Sequence, residues 1–265
     1  MKEFVFLILI GLLTTSLSGQ KGVEIGGHIG VAHYYGDLNP KYTLSDPGLS
    51  FGLKARRNFN YRTCISAGID FGRVSGSDAD AFNAFESSRN LSFKSNIIDF
   101  NFTYEFNFFP YQHGSSEYFY TPYIFAGFSI MKYNPTAELN GESYGLRDLK
   151  TEGDFYGLVS GSFAYGVGLK WDLNRDFSLN FNLSGRRLFT DRIDDVSENY
   201  PDVSSLGSSP VAAELSNRSP DTGFGRPGTQ RGDGRFHDTV FFFNVGIMRY
   251  FGKLRCPPIS KNLGY

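Results

Sequence analysis

Apolar and polar residues alternate along eight segments of the chain, and this alternation predicts β-strands. In the clearest segment, residues 97–110, the even positions from Ile98 to Phe108 hold only Ile, Phe or Tyr, and most odd positions hold Asp, Asn, Thr or Glu. A strand turns successive side chains to opposite faces, so a period of two indicates one apolar and one polar face. The other seven segments begin near Val23, Leu49, Cys64, Tyr120, Phe163, Phe177 and Val240.

The connections between these segments alternate in length. Those after the second, fourth and sixth segments are short, and the longest of the others runs from about Thr190 to Asp238. Short turns at one end and long loops at the other are typical of outer-membrane barrels, whose short turns face the periplasm. We therefore predict one all-β domain over residues 20–252, an eight-stranded antiparallel transmembrane β-barrel of the outer-membrane type.

The two ends of the chain differ from the alternating segments between them. Lys2 precedes an apolar run from Phe4 to Leu13, and small residues follow, which is the layout of a secretory signal peptide. The run is too short for a membrane-spanning helix. We expect residues 1–19 to be a signal peptide, residues 253–265 to be a polar periplasmic tail, and the barrel to lie in the cell outer membrane.

The polar face of the strands distinguishes a membrane barrel from the alternative, a soluble secreted barrel. A membrane barrel turns its apolar face to lipid and its polar face inward. Here the polar face is rich in glycine and asparagine, and its charges nearly balance, which suits a narrow lumen. Eight strands enclose only enough space for side chains, so an open pore is disfavoured. We expect a lumenal charge network of Glu24, Lys54, Arg56, Asp70, Asp99, Glu105, Lys170 and Arg186.

Composition narrows the function further. The 265 residues include 27 Phe and 16 Tyr, and aromatic residues near strand ends suit the two membrane interfaces. A net charge of -1 gives no basis for nucleic-acid binding. The sequence has no nucleophile-elbow, zinc-protease or phosphate-loop motif, so we expect neither enzyme activity nor a cofactor.

The two cysteines, Cys64 and Cys256, are predicted at the periplasmic end of the barrel, in an oxidising compartment. Two functional interpretations are open for them: a disulfide that ties the tail under the barrel, and a thiol that pairs with a partner protein. A disulfide requires Cα atoms within roughly 7 Å of each other, and the third and eighth strands are not neighbours.

An acidic stretch in the longest loop is a candidate ion site. The sequence TDRIDDVSEN, residues 190–199, contains Asp191, Asp194 and Asp195. Closely spaced oxygen ligands can hold calcium, although this spacing matches no EF-hand. The alternative is that these residues fold the loop through Asx turns and pairing with Arg192.

Several short motifs resemble, in their order, those of one protein family. They are YYGDLNP at 34–40, SGSDAD at 75–80, RNLSFKSNI at 89–97, EFNFFPY at 105–111, TPYIFAGF at 121–128 and FTDRIDDVSENYPD at 189–202. The chain is similar to the PorG-like outer-membrane proteins of the type IX secretion system, also grouped as a domain of unknown function, DUF6089. The resemblance implies a non-enzymatic component or assembly factor of a protein secretion machine, docking a periplasmic lipoprotein ring.

Two other functions stay open at this stage. One is a small barrel enzyme acting on outer-membrane lipid, for which His33 would be the candidate residue. The other is a structural or adhesive surface barrel that acts through its external loops. Outer-membrane lipid is an expected partner in each case, and nucleic acid in none.

Overall fold

The computed structural model describes residues 22–40, 46–80, 83–207, 209–221, 223–233 and 238–252. The predicted signal peptide and the predicted periplasmic tail lie outside the described residues. One antiparallel sheet contains the strands β1 (Gly22–Tyr35), β2 (Gly48–Asn58), β3 (Thr63–Ser77), β4 (Ser92–Asn107), β5 (Tyr120–Lys132), β6 (Pro135–Leu139), β7 (Glu142–Gly145), β8 (Val159–Asp172), β9 (Phe177–Leu188) and β10 (Thr239–Gly252).

Eight of these strands close into a barrel. The order is β3-β2-β1-β10-β9-β8-β5-β4, and β3 also pairs with β4, so this part of the sheet has no free edge. The first and last strands pair along their whole length, from Gly22↔Gly252 to Tyr35↔Thr239. The eight strands contain the eight alternating segments, and the prediction of an eight-stranded antiparallel barrel is confirmed.

The outward face of the barrel is apolar and exposed. Leu49 is 80% exposed, Ile29 72% and Phe128 67%, and they lie on a continuous surface of aliphatic and aromatic side chains. A soluble protein rarely exposes so large an apolar surface. In a bilayer the same surface contacts lipid, and closure pairs the backbone amides that lipid cannot solvate. The barrel therefore spans the outer membrane, which confirms the predicted location.

Glycines inside the barrel make room for large rings. A Cβ atom at Gly168 of β8 would lie 2.5 Å from the ring of Tyr123, and one at Gly166 would lie 2.4 Å from the ring of Phe125. Both rings point inward from β5, where they are buried. The polar face is thus rich in glycine because a narrow lumen holds bulky side chains only opposite very small ones.

The described parts of the long external connections fold into a cap over the outer mouth of the barrel. The cap includes the β6–β7 hairpin, the helices α1 (Ala84–Arg89), α2 (Leu146–Leu149) and α3 (Pro210–Ser216), and 3-10 turns at Asp78–Asp80 and Val203–Leu206. Its apolar side chains, among them Ile193 and Leu215, join Phe93 and Phe242 in one buried cluster. The hydrophobic core of the protein therefore sits at the outer end of the lumen.

The helices of the cap are short. None of the helices in the described ranges is long and apolar enough to cross a membrane.

Candidate functional site

The lumen brings the eight predicted charged residues together in two clusters. The cluster nearer the periplasm is centred on Glu105 of β4, which is fully buried. Three cations surround its carboxylate: Arg56 Nε at 2.7 Å, Lys170 Nζ at 2.9 Å and Lys54 Nζ at 3.0 Å. Arg56 also contacts Glu24, at 2.7 Å. The positive charges in this cluster therefore offset the carboxylates at close range.

The second cluster lies farther toward the outer mouth. Arg186 Nε lies 2.8 Å from Asp99 Oδ2, and its Nη2 lies 3.4 Å from Asp70 Oδ2. His28 Nε2 lies 2.5 Å from Asp70 Oδ1, and the Asn101 amide donates to Asp70 Oδ2 at 2.7 Å. His28 is not one of the eight residues of the predicted charge network, although its place on the polar face of the first strand indicates that it points inward.

These clusters leave little free space in the lumen. A cavity of about 40 Å³ remains, and its lining includes His28, Lys54, Asn182 and Arg186. An ordered water needs roughly 10–15 Å³ of such volume, so the cavity has room for only a few waters. The lumen is therefore a packed polar interior, and the charged residues act in it as structural partners.

The turn between β4 and β5 closes the periplasmic mouth with His113. The imidazole stacks on the ring of Tyr250 at a centroid distance of 4.3 Å, and its nitrogens lie 3.0 Å from Asp172 and 3.2 Å from Glu24. Burial lowers the pKa of His113, but the hydrogen bonds and charges of Asp172 and Glu24 outweigh it and raise the pKa to about 9. His113 is therefore charged at neutral pH. In the sequence this segment is one of the short connections, and no pattern marks His113.

Two buried arginines hold the external loops together. Arg89 binds Asp78 at 2.8 and 2.9 Å, and it donates to the carbonyl groups of Asp37 and Arg231 at 2.7 Å each. Arg231 in turn forms an ion pair with Glu152. Arg89 alone thus joins the loops that follow β1, β3 and β9, so the cap is ordered by guanidinium groups as well as by apolar packing.

The structure places the three aspartates of the predicted ion-binding loop in different surroundings. Asp194 accepts a hydrogen bond from the Tyr34 hydroxyl at 2.5 Å, and Asp195 accepts one from the Tyr156 hydroxyl at 2.5 Å. Burial raises the pKa of Asp195 to about 6. The carboxyl group of Asp191 lies instead in a separate acidic cluster.

That acidic cluster consists of Asp37, Asp191 and Asp233. Each offers a carboxylate oxygen, and these atoms lie within 4.8 Å of one another. Burial and the charge of Asp233 raise the pKa of Asp37 to about 7, and burial and the charge of Asp37 raise the pKa of Asp191 to about 8. No sequence spacing could identify this cluster, because its members come from the loops after β1 and β9.

Cys64, one of the two candidate thiols, is buried in the lumen. Its Sγ lies 3.3 Å from Lys170 Nζ and 3.5 Å from a Glu105 carboxylate oxygen. Cys256 lies outside the described residues. A disulfide between the two cysteines and a thiol contact with a partner both stay predictions.

His33, the candidate residue for an enzyme, is buried at the outer end of β1. Its Nε2 lies 3.0 Å from the side-chain nitrogen of Asn39, which also donates to the carbonyl of Tyr34 at 3.0 Å. These contacts connect the strand to the turn that follows it, which is a structural role.

Comparisons with known proteins give one family and several similar structures. A family model described as "Domain of unknown function (DUF6089)" matches residues 2–210. Ail, the attachment invasion locus protein of Yersinia pestis, is 14% identical with a TM-score of 0.43, covering 89% of this chain and 100% of that chain. OprG from Pseudomonas aeruginosa is 11% identical with a TM-score of 0.44, covering 89% of this chain and 97% of that chain. Neisserial surface protein A is 11% identical with a TM-score of 0.44, covering 86% of this chain and 97% of that chain. No curated protein matches the chain.

Proposed function

The chain belongs to the DUF6089 family, and we propose that it is a non-enzymatic outer-membrane component or assembly factor of the type IX protein secretion machine, similar to its PorG-like members. In this role it docks a periplasmic lipoprotein ring through its periplasmic face.

The filled lumen is the observation that carries this proposal. His113 occupies the periplasmic mouth, the ion pairs of Glu105 and Arg186 fill the middle, and the cap covers the outer mouth. In the described part of the barrel, a cavity of about 40 Å³ lies among these side chains, and it is too small to admit a protein substrate. A barrel that transports nothing through its own lumen acts through its surfaces, as a docking component does.

The periplasmic turns form an ordered surface that suits such docking. Arg62, in the turn after β2, donates to the carbonyl of Phe108 at 2.6 Å, and the Tyr111 amide donates to the carbonyl of Tyr61 at 3.0 Å. The turns after β2 and β4 are thus bonded to each other. A preformed surface pays little ordering entropy when a partner binds, which favours specific docking.

A structural or adhesive role on the cell surface is the second candidate, and the ordered cap favours it. The cap exposes apolar side chains such as Phe155 and Val203 while its own core is buried. An enzyme acting on lipid has less support, because His33 is buried and bonded to Asn39.

A deletion experiment distinguishes these roles. We expect loss of the chain to stop export of type IX cargo, and a plasmid copy to restore it. A copy with Phe155→Ser/Val203→Ser, which removes exposed apolar side chains of the cap and leaves its buried core intact, should also restore export if the periplasmic face carries the function. Normal export in the deletion strain, together with weaker attachment of its cells to a surface, would instead favour the adhesive role.

A further inference from the structure

The charged residues on the outward face of the eight barrel strands are all cations. The carboxylates of these strands, including Glu105 and Asp172, are buried in the lumen. The outward cations form two groups: Arg57 and Arg249 at the periplasmic end, and Arg73, Lys94, Lys132 and Arg187 at the outer end. Cations therefore border the apolar band at both membrane interfaces.

Three of the outer cations are neighbours on the adjacent strands β3, β4 and β5. Lys132 pairs with Ile98 of β4, and Arg73 pairs with Asn96 of the same strand, two residues farther out. Lys94 lies two residues beyond Asn96. With about 4.8 Å between strands and about 3.4 Å of rise per residue, the Cα atoms of Arg73 and Lys132 are roughly 12 Å apart. We call Arg73, Lys94 and Lys132 the outer basic patch.

Among the described residues, one carboxylate forms an ion pair with the outer basic patch. Glu138 of β6 lies 2.7 Å from Lys94 Nζ, and the two side chains are 60% and 44% exposed. An exposed pair of this kind contributes little and exchanges easily with another anion. With three cations and one carboxylate, the patch keeps two excess positive charges.

Apolar side chains lie directly below the outer basic patch. Phe71 stacks on Phe51 at a centroid distance of 5.3 Å, and Phe100 and Ile130 are more than half exposed on the same outward face. A molecule bound here would meet cations at the level of lipid headgroups and apolar side chains at the level of acyl chains. A phospholipid has this combination of groups, whereas a free ion or a soluble peptide does not.

We propose that Arg73, Lys94 and Lys132 bind the phosphate group of an outer-leaflet lipid whose acyl chains lie along Phe71 and Phe100. Each cation near a membrane surface favours an anionic headgroup by about 1 kcal/mol, a factor of about five in association. The proposal rests on the membrane-spanning fold and is independent of a role in secretion.

The single tryptophan of the chain provides the test. Trp171 lies on the outward face of β8 near the periplasmic end, away from the outer basic patch. The variant Trp171→Phe/Ile98→Trp moves this reporter into the patch, because Ile98 pairs with Lys132. Both proteins are refolded as full mature chains into vesicles of dibrominated phosphatidylcholine, a quencher, with increasing amounts of unbrominated phosphatidic acid.

We expect phosphatidic acid to relieve quenching at the Ile98→Trp reporter with a preference of about five-fold or more over phosphatidylcholine. At Trp171, whose end of the barrel carries only Arg57 and Arg249 on the outward face of the strands, the preference should be smaller than at the patch. Adding Arg73→Gln/Lys132→Gln should remove the preference at the patch. The matched control, Arg57→Gln/Arg249→Gln, neutralises the same number of outward cations at the other interface and should leave the preference unchanged.

Three results would overturn the proposal. Equal quenching relief at both reporter positions would mean that the interface is unselective. A preference that survives Arg73→Gln/Lys132→Gln would place its source elsewhere. A preference abolished by inorganic phosphate, but kept in sodium chloride of the same ionic strength, would assign the patch to free phosphate and exclude a lipid site.

Discussion

Arg56 and Glu105 form an ion pair inside the barrel, with Nε and Oε2 2.7 Å apart and both side chains fully buried. The pair joins β2 to β4, which are separated in the wall by β3. It therefore connects two strands that are not neighbours in the wall. Lys170 of β8 reaches the same carboxylate from another part of the wall. The lumen thus holds the barrel in one arrangement through charged contacts among strands that are not neighbours.

The Arg56→Met variant should be strongly destabilised. It leaves Glu24 without its guanidinium partner and Glu105 with one cation fewer, and removing one partner of a buried pair costs roughly 3–5 kcal/mol. The measurement is the free energy of unfolding in urea for the barrel refolded in detergent micelles. Arg57→Met is the matched control, because Arg57 is the next residue and faces outward. Equal stability of the two variants would contradict the assignment of the lumen network as structural.

The intact barrel should show no steady ion conductance in a planar bilayer. The charged residues are paired, and the remaining cavity holds only a few waters. Conductance traces of the protein comprising residues 20–265 provide the measurement. A persistent, reproducible step of open conductance would show that the lumen is a channel.

The stability that His113 contributes should depend on pH. Its pKa is about 9 in the folded barrel against an ordinary value of 6.5, so the stabilisation is fully present below about pH 6.5 and is lost as the pH rises through 9. The pKa difference corresponds to roughly 3 kcal/mol. Unfolding in urea should show the protein more stable than His113→Gln by about this amount at low pH, with the difference shrinking at high pH. A difference that does not vary with pH would contradict the charged state of His113.

The external cap should lose stability as the pH rises. The pKa values of Asp37 and Asp191 are about 7 and about 8 against an ordinary 3.8, so the folded cap binds protons that the unfolded loops release. The stability is therefore highest in acid and falls as the pH rises through these values. Amide hydrogen exchange of residues 189–207, corrected for intrinsic rates, is the measurement.

The double variant Asp37→Asn/Asp191→Asn should remove most of this pH dependence and protect the cap at high pH. Asp148→Asn is the matched control, because Asp148 is an exposed acidic residue of the cap. The same pH dependence in the double variant and in the protein would assign the effect to other groups.

The sequence predicted the barrel wall because its signal is local. Each barrel strand shows a period of two that is visible in one stretch of chain, as in the Phe100, Phe102 and Tyr104 run of β4. Membrane and lumen impose this period on the whole length of a strand. The inward charges were identifiable for the same reason, since Arg56 and Glu105 each occupy a polar position in an alternating run.

The cap and the mouth closure could not be predicted because they depend on distant contacts. Arg89 meets the carbonyl of Arg231 across 142 positions of the chain. His113 has no periodic context, and its partners Glu24 and Asp172 come from two other strands. The β6–β7 hairpin has only two short strands, so its alternation is too brief to distinguish from that of a loop.

The measurement that tests the docking account most directly is site-specific photo-crosslinking in cells. A photoreactive residue at Ser116, exposed in the periplasmic turn after β4, is compared with one at Val203, exposed in the external cap. The account predicts a crosslink from Ser116 to a periplasmic lipoprotein of the secretion ring and none from Val203. Crosslinks from Val203 alone, with Ser116 silent, would contradict periplasmic docking and place the function on the cell surface.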